Sequence, residues 1–318
     1  MKFNMLNTIK GSLMENFYPS GWDLQKIRAC LGTSPEEAML RQPFWHPDFQ
    51  VDSCEDRPEF YVKLGFEIAS QIKRAREEKT KLALVLPVGP MEQYNWVVYF
   101  LKYWNVCCDH LYCFSMDEWT DDQGNSTPGD EIGSFQFAME RGFFGKLGQL
   151  TVPRDQRFFA TRELLPFYRD KIDAIKADGG KLITVYGVGR DFHVAFWEPH
   201  FGDDYDSDEE WRQATHRIAA QLHPLSIEQN AILSYKSDFT SVPCRANTIG
   251  PGIFLESDYC IGGVDAIFDY GAATAGVSLW CTLRHGPSRW IPSSYMPTLP
   301  GKFFFVEQLA EKIVVSEH

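Results

Sequence analysis

Three side chains able to move protons fall close together in one stretch: Asp191, His193 and Glu198. They follow a Gly-x-Gly turn made by Gly187 and Gly189, with Arg190 next and Pro199 closing the stretch. An imidazole titrates near neutral pH, and carboxylates beside it can hold its orientation and set its charge, so these residue types suit acid–base chemistry. Two plainer readings use the same residues. All three are metal-ligand types, but no second histidine lies nearby in sequence, and no metal is expected. His193 could equally be a hydrogen-bonded loop residue, a role that the two neighbouring carboxylates and the glycine turn argue against. A dinucleotide fingerprint is excluded: Phe192 stands where its third glycine belongs, and Trp197 and Pro199 stand where a helix should open. No organic cofactor is expected.

A second carboxylate pair, Asp117 and Glu118, lies just past the apolar run at 110–114. Acids in such turns often cap or fix loops. The carboxyl end of a strand is also where an α/β protein places reacting groups.

The elements that must position these groups alternate. Phe60, Leu64, Ile68 and Ile72 recur at helical spacing, followed by a buried-strand run at 82–86 and a break at Pro87-Val88-Gly89-Pro90. A helix over 91–104, a strand over 110–114 and a helix over 135–144 come next. An amphipathic helix over 163–177 stops at Gly179-Gly180, and the strand at 182–186 feeds the Gly-x-Gly turn. Further strands are expected at 247–249, 259–261 and 303–306. Strands alternating with helices predict an α/β protein, a mostly parallel sheet covered on both faces. The acidic run Asp203, Asp204, Asp206, Asp208, Glu209, Glu210 reads as favourable charge at a helix start plus a solvated loop rather than a calcium site. Residues 1–50 differ from the rest, with aromatics and prolines around one short helix that starts at Ser34-Pro35-Glu36-Glu37. We read them as an irregular arm packed on a main domain of residues 51–318.

Bulk properties narrow the partners. The chain has 318 residues and a net charge of -12, with no basic run, which argues against an electrostatic nucleic-acid binder. Its eight cysteines form no CxxC pair, a pattern that suits a reducing compartment. No signal peptide and no membrane-length apolar stretch is recognised, so a cytoplasmic protein without membrane partners is expected. The composition is compatible with a homo-oligomer.

Ser-Met-Asp-Glu-Trp at 115–119, together with Gly-Val-Gly-Arg-Asp-Phe-His-Val-Ala-Phe-Trp-Glu-Pro at 187–199, resembles the glucosamine-6-phosphate deaminase/isomerase family. The resemblance runs from about residue 52 to about residue 312 and leaves the arm outside. It implies a Rossmann-like three-layer α/β sandwich that opens a sugar ring and isomerises aldose to ketose with loss of ammonia, without metal or cofactor. By position, Asp117 resembles the base that moves a proton between C2 and C1. His193 resembles the ring-opening acid–base group, with Asp191 and Glu198 orienting it. Pro87, Val88, Gly89, Glu118, Gly187, Gly189 and Arg190 then fall at substrate-binding positions for a sugar or sugar phosphate. The related 6-phosphogluconolactonases lack the glutamate found here at Glu198.

The chain also departs from the family. Its loop after Leu86 has no hydroxyl residues, and the family's basic phosphate ligands are replaced by Ile232 and the Asp265-Ala266 region. Arg190, Arg245 and Arg284 are candidate substitutes. Phe192 takes the place of a glycine and Trp197 that of an asparagine. A lactonase or isomerase on another sugar, or a non-catalytic sugar binder, are the alternatives.

Overall fold

Short apolar runs joined by amphipathic helices build a parallel sheet, because each helix must carry the chain back across a sheet face before the next strand can begin. The computed structural model describes residues 4–268 and 273–313. Before the sheet come α1 (Leu24–Ala29) and α2 (Pro35–Ala38). Then follow β1 (Phe49–Cys54), α3 (Arg57–Glu78), β2 (Leu82–Leu86), α4 (Glu92–Tyr103), β3 (Leu111–Ser115) and β4 (Asp117–Trp119). Next are α5 (Phe135–Met139), α6 (Gly145–Leu147), β5 (Arg157–Phe158), α7 (Tyr168–Ala177) and β6 (Lys181–Gly187). The second half holds α8 (Asp208–Gln213), β7 (His216–Gln221), α9 (Pro224–Ser234), β8 (Arg245–Ile249) and α10 (Pro251–Phe254). It ends with β9 (Tyr259–Val264), α11 (Gly276–Arg284) and β10 (Gly301–Val306).

Seven strands form one sheet in the order β1-β10-β9-β6-β2-β3-β5, every pair parallel. All of β2 is buried although successive residues face opposite sides, so both faces of the sheet are covered. The expected α/β class and three-layer arrangement are what the structure has. The chain leaves β2 through β3 to β5, then returns to the other side of β2 as β6. The switch point therefore lies where β2 and β6 end, and crevices form at such places.

Helix α3 shows why the local pattern was readable. Asp56 caps it by accepting the Glu59 N–H at 2.8 Å, and Phe60, Leu64, Ile68 and Ile72 form its buried stripe. Lys79, in a left-handed conformation, ends it. Ser34 caps α2 as expected, and Ser207 caps α8 with Asp208, Glu209 and Glu210 in its first turn.

Several differences follow from long-range pairing. The strand expected at 247–249 is β8, but it belongs to a separate antiparallel sheet in the order β4-β8-β7. Asp117 and Glu118 sit in β4 of that sheet rather than in a turn. The helix at 135–144 is α5 followed by a π-helical turn, Glu140–Phe144. The first strand of the main sheet starts at Phe49, astride the expected boundary at 50/51, because it pairs with β10, the last strand in the chain.

The arm packs by its aromatics. Trp45 Nε1 donates to the Leu283 carbonyl at 2.9 Å and Trp22 Nε1 to the Trp290 carbonyl at 2.7 Å, while Ile27, Ala38 and Trp45 are buried in the main core. Among the described residues no helix is long and apolar enough to cross a membrane.

Candidate active site

Strand β6 ends at Gly187, and the following loop brings Asp191, His193 and Glu198 into one buried cluster. His193 Nδ1 lies 2.7 Å from Asp191 Oδ1 and 3.7 Å from Glu198 Oε2, and neither carboxyl side chain is exposed. The loop is folded tightly: the Gly189 N–H donates to the His193 carbonyl at 3.0 Å and the Phe192 N–H to the Gly189 carbonyl at 2.9 Å. Gly189 is required because the imidazole packs on its backbone; a Cβ there would meet the ring at 2.2 Å. No such demand falls on Gly187, whose Cβ position is open. Two non-glycine residues of the loop adopt the backbone that favours glycine, Phe192 at φ 78° and Ala195 at φ 55°.

β3 runs through Met116 directly into β4, which places Asp117 beside the loop after β6. In register Asp117 faces Thr248, and Thr248 Oγ1 accepts the Phe196 N–H at 3.0 Å, tying the second sheet to the His193 loop. Asp117 and His193 are close enough to affect each other's charge.

The electrostatics divide the four groups. Burial and the neighbouring Glu118 charge raise the Asp117 carboxyl to about 8, against the opposing pull of His193. Burial opposes charging of His193, but Asp191 and Glu198 outweigh it and raise the imidazole to about 10. Burial would raise Asp191 too, yet His193 and the donors around it hold it below the usual carboxylate range. Burial and the adjacent Asp191 charge push Glu198 well above its ordinary value. The shifts favour an Asp191–imidazolium ion pair and oppose ionisation of Glu198. Nδ1 is taken up by its neighbours, whereas Nε2 has no hydrogen-bond partner among the described residues and is the nitrogen that can serve a ligand.

The remaining expected positions fare differently. Glu118 does not present its carboxylate to the site. It accepts the N–H groups of Trp119 and Phe135 at 3.0 Å and of Gln136 at 2.9 Å, so it caps α5 from outside. Pro87, Val88 and Gly89 follow β2 at the switch point; the Pro87 carbonyl accepts the Tyr94 hydroxyl at 2.6 Å, and Gly89 has φ 101°. The Arg190 guanidinium pairs with Glu228, and its backbone N–H donates to Gln229 Oε1 at 2.6 Å. Arg245 donates to the Ala219 carbonyl at 3.0 Å, and Arg284 lies 3.8 Å from Glu37 of the arm, over the Trp280 ring. Each of the three candidate phosphate arginines is engaged by a different neighbour.

Two residues had no signal of function in the sequence. Ser226 Oγ hydrogen-bonds to Asp191, His193 and Glu198, and His223 lies 4.0 Å from Asp191. His223-Pro224-Leu225-Ser226 reads locally only as a helix start, and only the packing of α9 on the loop reveals more. One ligand-type atom each from Asp191, His193 and Glu198 lies within 4.8 Å of the others, but Ser226 joins them by hydrogen bonds.

No family profile matches the chain. A glucosamine-6-phosphate deaminase from Caenorhabditis elegans is 25% identical over 226 residues, covering 68% of this chain and 77% of the relative. One from Aedes aegypti is 28% identical over 204 residues, 62% of this chain and 68% of the relative. Among solved structures, a monomeric glucosamine-6-phosphate deaminase of the NagB superfamily superposes with a TM-score of 0.63 at 18% identity, covering 82% of this chain and 98% of that one. A 6-phosphogluconolactonase from Shewanella baltica does so at 0.51 and 14% identity, covering 82% and 99%. Both superpositions show the same α/β fold, and the sequence relatives named here are deaminases. The chain is thus similar in sequence to glucosamine-6-phosphate deaminases and has the α/β fold of these solved structures.

Proposed function

We propose that this chain is a glucosamine-6-phosphate deaminase-like enzyme, isomerising an amino sugar through an enediol-type intermediate with release of ammonia. The observation that carries the reading is the buried Asp191–His193–Glu198 cluster with Nε2 of His193 unpartnered and Asp117 within electrostatic reach. Ring opening needs an acid that can protonate the ring oxygen, and the imidazolium supplies that proton from Nε2. Aldose–ketose conversion needs a base to shift a proton between C2 and C1, and Asp117, once ionised, is that base. Burial keeps water from competing for either proton. Asp191 and Glu198 act through His193. Glu198 also sets this cluster apart from the lactonase pattern, which lacks a glutamate there.

Glucosamine-6-phosphate is the default substrate, and because Arg190, Arg245 and Arg284 are each engaged elsewhere, a sugar without that phosphate is the second candidate. The test is release of ammonia and ketose from the purified chain given glucosamine-6-phosphate, with free glucosamine in parallel. Turnover of either that disappears in Asp117→Asn supports the assignment. Turnover that survives this substitution removes Asp117 from the base role, and silence on both sugars rejects an amino-sugar substrate of this kind.

A further inference from the structure

Ser226 lies at the centre of the buried cluster and has no role in the chemistry above. Its side chain is fully buried in the first turn of α9. Oγ lies 3.0 Å from His193 Nδ1, 3.2 Å from Asp191 Oδ2 and 3.0 Å from Glu198 Oε2. A hydroxyl has one proton and two lone pairs, so it can donate to only one of the two carboxyls. Nδ1 makes its shortest contact with Asp191 Oδ1, at 2.7 Å, and its proton belongs there. The other Glu198 oxygen, Oε1, is buried without a hydrogen-bond partner, while Oε2 faces Ser226 Oγ at 3.0 Å and His193 Nδ1 at 3.7 Å.

Two unexposed carboxyls sharing a single hydroxyl proton cannot both stay ionised, because neither charge has water to solvate it. One arrangement satisfies these distances with every proton used. A protonated Glu198 donates to Oγ, Oγ donates to Asp191 Oδ2, and Asp191 accepts from Nδ1 through its other oxygen. We propose that Ser226 is a positioning residue: its hydroxyl links Glu198 to Asp191, places the single negative charge on Asp191, and so holds Nδ1 of His193 while Nε2 is left for the substrate. The proposal rests on His193 being the proton-transferring group.

The support behind Ser226 is itself specific. His223 caps α9, its Nδ1 accepting the Leu225 N–H at 3.2 Å and its Nε2 donating to the Phe17 carbonyl of the arm at 3.0 Å. Asn230 Nδ2 donates to the Ser226 carbonyl at 2.9 Å. The first turn of α9 is thereby clamped between the arm and the loop.

The experiment is a titration of the His193 imidazole by nitrogen-detected NMR in the full chain, without substrate. The titratable groups that face this cluster are Asp191 and Glu198 on the His193 loop, Asp117 on β4, His200, and His223 at the head of α9. Ser226→Ala removes the oxygen that faces Nδ1 and the donor that stabilises Asp191. The midpoint of His193 should fall by about one unit. Ser226→Cys, which fills the space with a poor donor, should give the same fall, and Ser226→Thr, which keeps the hydroxyl, should restore the wild-type midpoint. An unmoved midpoint in folded Ser226→Ala and Ser226→Cys overturns the proposal. Where turnover is measurable, the same variants should lower kcat by roughly tenfold to a hundredfold with little change in KM. Failure of the deaminase reading would look different: a shifted titration with no turnover of any amino sugar.

Discussion

Asp117 is where burial and chemistry conflict most directly. Its carboxyl must ionise to act as a base, yet its surroundings hold the proton on. The folded chain keeps Asp117 protonated between its ordinary value of 3.8 and about 8, whereas the unfolded chain does not. Over that window the folded state binds the extra proton, so raising the pH through it lowers stability. Asp117→Asn is neutral throughout and escapes this cost. Urea midpoints of the variant and the wild type should be similar near pH 4 and diverge in the variant's favour up to about 8, levelling above that. A difference that does not change with pH would mean that Asp117 is ionised in the folded state throughout. On the proposed deaminase reading the same groups shape the rate. After correction for the substrate's own titration, kcat/KM should rise as Asp117 ionises near 8 and fall as His193 loses its acid proton near 10. A profile flat across that range would remove one or both groups from the proton transfers.

At the scale of elements, the site depends on two strands whose ends lead into different structures. β6 ends in a loop that carries its own chemistry. β3 passes through Met116 into β4, so one apolar strand feeds a short antiparallel sheet that carries Asp117. Glu118, next along β4, turns away from the site and accepts the first backbone N–H groups of α5. Replacing it with alanine leaves those donors unpaired at a buried helix end, and Glu118→Ala should lose roughly 2–3 kcal/mol in urea unfolding. A loss under about 0.5 kcal/mol, the range of an ordinary surface change, would show that the cap does not stabilise the fold. The adjacent carboxylates thus have separate tasks, which β-strand alternation explains: successive side chains point to opposite faces.

At the scale of the molecule, the arm and the site loop hold each other. Phe192 adopts a left-handed backbone that costs a non-glycine residue about 1–2 kcal/mol. Trp22 of the arm packs against it with ring centroids 4.9 Å apart, and the Ser293 N–H donates to its carbonyl at 3.0 Å. The arm is further fitted to the rim: Gly21 lies on the Trp290 ring so closely that a Cβ would meet it at 2.0 Å, and Ser20 donates to Asp203 at 2.6 Å. Trp22→Ala should destabilise the wild-type chain by roughly 2 kcal/mol and a Phe192→Gly background by about half that. The coupling expected in that double-mutant cycle is about 1 kcal/mol, the worth of an aromatic pair beyond its buried area. Strict additivity would make arm and loop energetically independent.

Local rules carried the sequence far because they concern neighbours in the chain. The stripe of α3, the caps at Asp56, Ser34 and Ser207, and the buried runs of β2 and β6 are set by spacing, side-chain type and turn chemistry within a few residues. The alternation of those elements determined an α/β sheet. The residues Asp117, Asp191, His193 and Glu198 were visible because three of them share one short stretch and the fourth follows a strand. What the tertiary structure decided involves residues far apart. The pairing of β4 with β8 assigns Asp117 to a second sheet, and the first strand lies against the last. Ser226 enters the cluster 28 positions after Glu198. Glu118 leaves the site for a helix 17 positions away. The carboxylates' charges were likewise beyond the sequence, since they depend on how completely the folded chain excludes water from each one.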